Sequence, residues 1–201
     1  MQNEIVKKEN SKKMNPIIQQ LQYLQPLSDK ITIALNDLIK HKPIAKGQLL
    51  LRIGQKAEYF YFLNRGLARV FYKRNGKDIT DYFAIDQQFI GAVPSLFNGQ
   101  PSHKAIETLE DSDIYYFSYP AFEQLCTQHH ALEHIARKQA VLGMLQGQQR
   151  IESIRFLSAK ERYHELEKLY PGITNRAPLK HIASYLGTTQ VSISRIRAGK
   201  Q

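Results

Sequence analysis

His181–Arg197 reads HIASYLGTTQVSISRIR, and its spacing describes two short helices joined by a tight turn. Ile182, Ala183 and Leu186 recur on one helical face, Gly187 supplies the turn, and Ile193 and Ile196 give the second helix a buried side. That pattern is a helix-turn-helix. Thr189 stands where it can cap the second helix, which leaves Gln190, Ser192, Ser194 and Arg195 facing outward. Arg suits a bidentate contact with guanine, Gln one with adenine, and short hydroxyls suit phosphate oxygens, so this face is chemically matched to a major groove. An ordinary helical hairpin is the plainer reading of the same stretch.

Charge points the same way. The chain carries 28 Lys plus Arg against 18 Asp plus Glu, a net charge of +10. The last acid is Glu167; beyond it lie Lys168, Arg176, Lys180, Arg195, Arg197 and Lys200 with no acid among them. Bases flanking an apolar helical pattern describe a folded phosphate-binding surface. A second basic group, Lys7, Lys8, Lys12 and Lys13, sits among Asn, Ser and Gln, and residues 1–20 are expected to be a mobile basic end.

The remaining composition sets bounds. With 201 residues and 42% apolar content, a small reading head leaves room for a second folded unit. No run approaches the ~20 apolar residues of a membrane span, so the expectation is a cytoplasmic protein with no membrane partner. The one cysteine, Cys126, excludes an internal disulfide and reads as a buried thiol.

Ser28 and Asp29 can cap a helix bearing Ile31, Ala34, Leu35, Leu38 and Ile39 on one side, ending near His41. The pattern then becomes β. Gln48 to Ile53, Tyr59 to Asn64, Leu67 to Lys73 and Asp78 to Ile85 are short runs of aromatic and branched residues broken by Gly47, Gly54, Gly66 and Gly76. Asn75-Gly76 is a hairpin turn signal. Two further strands are expected around Phe89 to Val93 and from Ala105 through Ser118, with a loop over Pro94 to Lys104. From Pro120 onward the chain is helical: a short helix with Phe122, Leu125 and Cys126, then a long one over Leu132 to Ile154. Leu132, Ile135, Leu142, Leu145 and Ile151 follow a 3-4 spacing on that long helix, weakened locally by Gly143 and Gly147. Such a helix is too long to bury against one small β unit, so its stripe is expected to meet a second copy of itself.

The order of parts resembles the Crp/Fnr family of bacterial transcription regulators from about residue 20 to 200. YFYFLNRGLARVFYKRNGKDITDYF (Tyr59–Phe83) resembles the front of that family's cyclic-nucleotide-binding-like roll, and FIGAVPSLFNGQPS (Phe89–Ser102) resembles its phosphate-holding segment. ERYHELEKLYP and LKHIASYLGTTQVSISRIR resemble its end. The resemblance implies an α+β fold: an N-terminal β-roll of double-stranded β-helix or jelly-roll type over 21–120, a helical dimerisation segment over 121–156, and a C-terminal helix-turn-helix over 157–201. It further implies a homodimer on double-stranded DNA, with RNA polymerase and a small anionic effector as further partners, no catalytic residues and no cofactor or metal. Carried over position by position, the DNA contacts would be Lys180, Thr188, Thr189, Gln190, Val191, Ser192, Ser194, Arg195 and Arg197, with Gln190, Val191 and Arg195 at the base-reading places. The chain runs four residues past Arg197, too few for the wing hairpin usual in the family.

The effector segment departs from the family pattern. Members that bind cyclic AMP place a Glu after the loop glycine and an Arg later; here Gly91-Ala92-Val93 occupies the loop, and His103 with Lys104 stands at the cationic place. Each lost charge-assisted bond costs about 1.5 to 3 kcal/mol, so a degenerate pocket that does not hold cyclic AMP is expected.

Two other function classes compete. His130-Ala131-Leu132-Glu133-His134 matches His-x-x-Glu-His, a zinc-hydrolase pattern in which two histidines one turn apart hold the metal and Glu activates water. No third ligand accompanies it in the sequence. A β-roll acting only as an interaction module is the other alternative, and it leaves the basic head unexplained.

Overall fold

The computed structural model describes residues 14–200. The lysines at 7, 8, 12 and 13 lie outside this range, but the reading of 1–20 as a mobile end fails at its last residues. Helix α1 spans Pro16–Leu24, started by the Asn15 side chain accepting from the Ile17 N–H at 3.0 Å. Ile17, Ile18 and Leu21 of α1 are buried, so apolar content overrides the polar neighbourhood. Helix α2 follows over Asp29–Leu38.

Eight strands then form two antiparallel four-stranded sheets. In chain order they are β1 Lys40–Ile44, β2 Leu49–Leu51, β3 Tyr59–Arg65, β4 Ala68–Arg74, β5 Lys77–Ala84, β6 Gln88–Ile90, β7 Lys104–Thr108 and β8 Ser112–Ser118. One sheet has the order β1-β8-β3-β6 and the other β2-β7-β4-β5. Their facing sides enclose Leu63, Ala68, Val70, Ala84, Ile90 and Ile106. The crossed order is that of a β-roll: each hairpin partner is handed to a neighbour from elsewhere in the chain. Asn75 and Gly76 both take positive φ, 50° and 72°, as the two-residue turn between β4 and β5 requires. Gly66, at φ 128°, tolerates no side chain, since a Cβ there would sit 2.2 Å from Ser112 Oγ.

Three sequence expectations change here. Strand β1, KHKPI, escaped because it is exposed and carries a proline, which only an edge strand such as this one accepts. The expected strand from Ala105 through Ser118 is two strands, β7 and β8, separated by a turn at Leu109–Asp111. Val93 leaves the strand to open helix α3, Val93–Asn98, inside the stretch read as a loop.

Helix α4 spans Tyr119–Gln128 and the long helix α5 spans His130–Phe156, 27 residues and about 40 Å. The two ends of α5 differ. Leu132 and Ile135 are buried against α1, α2, Phe62 and Phe117, so these two of the five residues assigned to a dimer stripe are used within the monomer. Their early position on the helix lays them over the roll. Leu142, Leu145 and Ile151 are exposed, and Val141, Met144, Ile154 and Phe156 join them. Cys126 is buried, and burial first, then Glu133 and Glu123, pushes its thiol up to about 11, which keeps it protonated and inert.

After α5 come α6 Ala159–Leu169, α7 Ile173–Arg176, α8 Leu179–Leu186 and α9 Gln190–Arg197. Helix α6 starts with a capping box: Ser158 Oγ accepts from the Glu161 N–H and the Glu161 carboxylate accepts from the Ser158 N–H. Leu166, Tyr170, Ile173, Ile182, Leu186, Ile193 and Ile196 form this unit's core, which is continuous with Leu67, Phe83, Ile85 and Leu109 of the roll.

Candidate nucleic-acid interface

Helix α8 ends on Gly187 at φ 64°, whose conformation lets the Thr188 N–H reach back to the Ala183 carbonyl at 3.0 Å. The chain turns through Thr188 into α9, where Thr189 Oγ1 accepts from the Ser192 N–H at 3.1 Å. Ile193 and Ile196 lock α9 onto α6 and α8. Three turn residues and two crossed helices reproduce the arrangement read from the sequence.

The assigned DNA-contact residues differ in exposure. Lys180, Thr189, Gln190, Val191, Ser194, Arg195 and Arg197 are exposed, and Thr188 and Ser192 are half-buried. Val191 is 61% exposed, a methyl-bearing side chain with no core role. Among the described residues, Arg195 and Arg197 form no ion pair, and Thr189 and Ser192 hydroxyls lie 3.0 Å apart in the cap. The local cation is smaller than the sequence count implied. Lys168 is paired with Glu165 at 2.8 Å, and Arg176 is spent on the roll.

Arg176 is one part of a contact set that fixes the C-terminal helical unit to the roll. Its guanidinium bonds Asp86 at 2.7 Å, Glu110 at 2.8 Å and the Gly66 carbonyl at 2.9 Å. Burial raises the Asp86 carboxyl, but the Arg176 and Gly66 hydrogen bonds outweigh it and hold the group low. Ser184 Oγ of α8 accepts from the Thr80 N–H at 3.1 Å and lies 3.0 Å from Thr80 Oγ1. Tyr185 packs against Phe83 with tilted rings, centroids 5.4 Å apart, and Arg150 of α5 lies 3.6 Å over the same Tyr185 ring while donating to the Tyr185 carbonyl. Arg162 donates to the Leu186 and Leu157 carbonyls, which ties the end of α8 to the junction after α5.

Behind this contact Arg69, 2% exposed, bonds Glu107, Asp78 and Thr80 and stacks 4.0 Å over Phe71. His181 of α8 is buried and feels the Arg69 charge. Burial first, then the charges of Arg69 and Lys180, lowers the His181 ring to about 4, so it is neutral at physiological pH. Arg69, Thr80 and Ser184 were not singled out by sequence reasoning, because the partners that tie them to other elements lie 9 to 104 positions away.

At the expected effector segment, polar groups are bonded within the chain. Tyr82 Oη donates to the Gly91 carbonyl at 2.6 Å and accepts from the Gly91 N–H at 3.0 Å. Burial raises the Tyr82 hydroxyl further, so it stays a donor. Ala92 is buried at the start of α3, and Val93 and His103 face solvent. Lys104 is held by Asp81 at 2.7 Å. Of the five assigned residues, Gly91 is thus engaged by Tyr82 and Lys104 by Asp81.

His130, Glu133 and His134 lie on the solvated start of α5, where Arg137 Nη2 sits 3.0 Å from His134 Nδ1. A guanidinium at that ring nitrogen opposes a dication, and no cluster of three His, Cys, Asp or Glu groups suited to a metal occurs among the described residues. No helix among the described residues is long and apolar enough to cross a membrane.

Residues 41–129 match the family model of the cyclic nucleotide-binding domain. No curated protein matches the chain in sequence. Solved structures do match it. FixK2 from Bradyrhizobium japonicum superposes with a TM-score of 0.70 at 15% identity, over 81% of this chain and 84% of its own. The c-di-GMP-responsive global regulator CLP of Xanthomonas campestris gives 0.65 at 13%, over 86% and 91%. A protein from Eubacterium rectale described as a transcriptional regulator of the crp/fnr family gives 0.66 at 16%, over 88% and 84%. At these identities the likeness is one of fold: the chain has the Crp/Fnr-type architecture of roll, long helix and helix-turn-helix end.

Proposed function

We propose that this protein is a cytoplasmic, sequence-specific DNA-binding transcription regulator of the Crp/Fnr type, and not an enzyme. The observation that carries the reading is the outer face of α9: Gln190, Val191, Ser194 and Arg195 stand exposed over a buried Ile193 and Ile196, on a helix-turn-helix fastened to a cyclic-nucleotide-domain roll. Arg195 reads a base edge, Gln190 and Val191 read beside it, and Lys180, Thr188, Thr189, Ser192, Ser194 and Arg197 meet phosphates. Two copies pair through the exposed end of α5, where Leu142, Leu145 and Ile151 form an apolar stripe with Val141, Met144 and Ile154. Such a pair presents two reading helices to half-sites about one turn of DNA apart, and RNA polymerase is its downstream partner.

The roll does not take cyclic AMP. Ala92 offers no carboxylate to a ribose, Gly91 already bonds Tyr82, and Lys104 already pairs with Asp81. An effector, where one acts, is a different small anion able to displace Asp81 from Lys104. Fluorescence anisotropy with selected duplexes and their scrambled counterparts tests the DNA reading: binding of the selected duplex at least about a thousandfold tighter supports it, and equal affinity for both overturns it.

A further inference from the structure

We propose that the tip of the β4–β5 hairpin is a second DNA-contacting element, with Lys73, Arg74 and Lys77 meeting backbone phosphates beside the reading head. This rests on the DNA-binding reading above and adds to it a part of the roll that carries no helix-turn-helix residue. Residues 73–78 are all exposed. Arg74 stands directly opposite Lys77 in the hairpin register, held there by the two-residue Asn75-Gly76 turn. Like charges in that position disfavour a hairpin unless a negative partner lies against them.

The acids that would neutralise the tip are committed elsewhere. Asp78, opposite Lys73, turns its carboxylate to the buried Arg69 at 3.2 Å, and Asp81 holds Lys104 at 2.7 Å. Among the described residues Lys73, Arg74 and Lys77 make no ion pair. Three cations are therefore presented together on a tight turn.

Their location is set by α8. Ser184 meets Thr80, Tyr185 meets Phe83 further along β5, and His181, nearer the start of α8, feels the charges of Arg69 and Asp78. The N-terminal end of α8 thus points toward the hairpin tip, where its exposed Lys180 continues the basic line. In a helix-turn-helix the first helix crosses the phosphate backbone, so the tip lies on the path of that backbone. The Arg176 and Ser184 bonds keep tip and head in one register.

The test uses the full chain and a triple variant, Lys73→Ala, Arg74→Ala and Lys77→Ala, with anisotropy measured across a salt series on selected and scrambled duplexes. All three sites are exposed, so a melting temperature that does not fall checks folding. The slope of log affinity against log salt is expected to fall by about 2 to 3 for both duplexes, with their ratio preserved. An unchanged slope, or a loss confined to the selected duplex, overturns the proposal while leaving the head's role intact. Failure of the unaltered protein to prefer any duplex removes the DNA reading itself, and this proposal with it.

Discussion

The loop at Gly91 and the outer face of α9 are the two places where a partner is expected, and they are built in opposite ways. At Gly91 the polar groups are used internally: Tyr82 takes both the N–H and the carbonyl, and Asp81 takes Lys104. On α9 the guanidinium of Arg195 and the amide of Gln190 project into solvent without an ion pair or a core to join. A polar group bonded within the chain must lose that bond before it can bind anything else, at about 1 kcal/mol net per bond. The face of α9 carries no such debt, so in the present conformation its polar groups are open to solvent and those at the loop are not.

The comparison yields experiments that separate stability from binding. The largest effect on stability is expected from Arg176→Ala, which strands Asp86, Glu110 and the Gly66 carbonyl. A buried pair broken this way costs about 3 to 5 kcal/mol; the guanidinium is 24% exposed, which brings the expectation to about 2 kcal/mol, or roughly 5 °C in a calorimetric melt. Next comes Arg195→Ala, expected to leave the melt unchanged and to weaken selected DNA by about 1 to 3 kcal/mol while sparing scrambled DNA. Equal losses on both duplexes would remove Arg195 from base reading.

His181 offers a pH test of the contact between head and roll. Its ring titrates near 6.5 when unfolded and at about 4 when folded, so the unfolded chain binds the extra proton between those values. The contribution is complete above about pH 6.5 and is lost as pH falls toward 4. Melting temperature should therefore drop over that window, and the drop should be shallower in His181→Gln. The smallest effect is expected from Tyr82→Phe, which leaves the Gly91 groups to water or to nothing, at about 1 kcal/mol in the same melt. Calorimetry with cyclic AMP should show no binding in either form; micromolar affinity would contradict the closed reading of the loop.

Much of this architecture could be read from local pattern. The helix-turn-helix, the Asn75-Gly76 hairpin and the long helix each depend on neighbours within a turn or two, and residue order carries such signals directly. Strand β1 was hidden because an exposed edge strand needs no apolar alternation, and α1 because its three buried residues sit beside a polar, basic run. The site was legible in composition but not in partnership. Nothing local in Arg176 distinguishes a phosphate-facing cation from one spent on Asp86 and Glu110, and nothing in the alternation of β5 says that the Tyr82 hydroxyl reaches Gly91. Those facts are long-range, and only the folded chain supplies them.

The central claim is that the last helix-turn-helix docks in a duplex groove as one of a symmetric pair. Selection of bound duplexes from a random pool by the full chain tests it most directly. Enrichment of an inverted repeat with half-sites about 10 base pairs apart is the predicted result; recovery of sequences with no shared motif would contradict it.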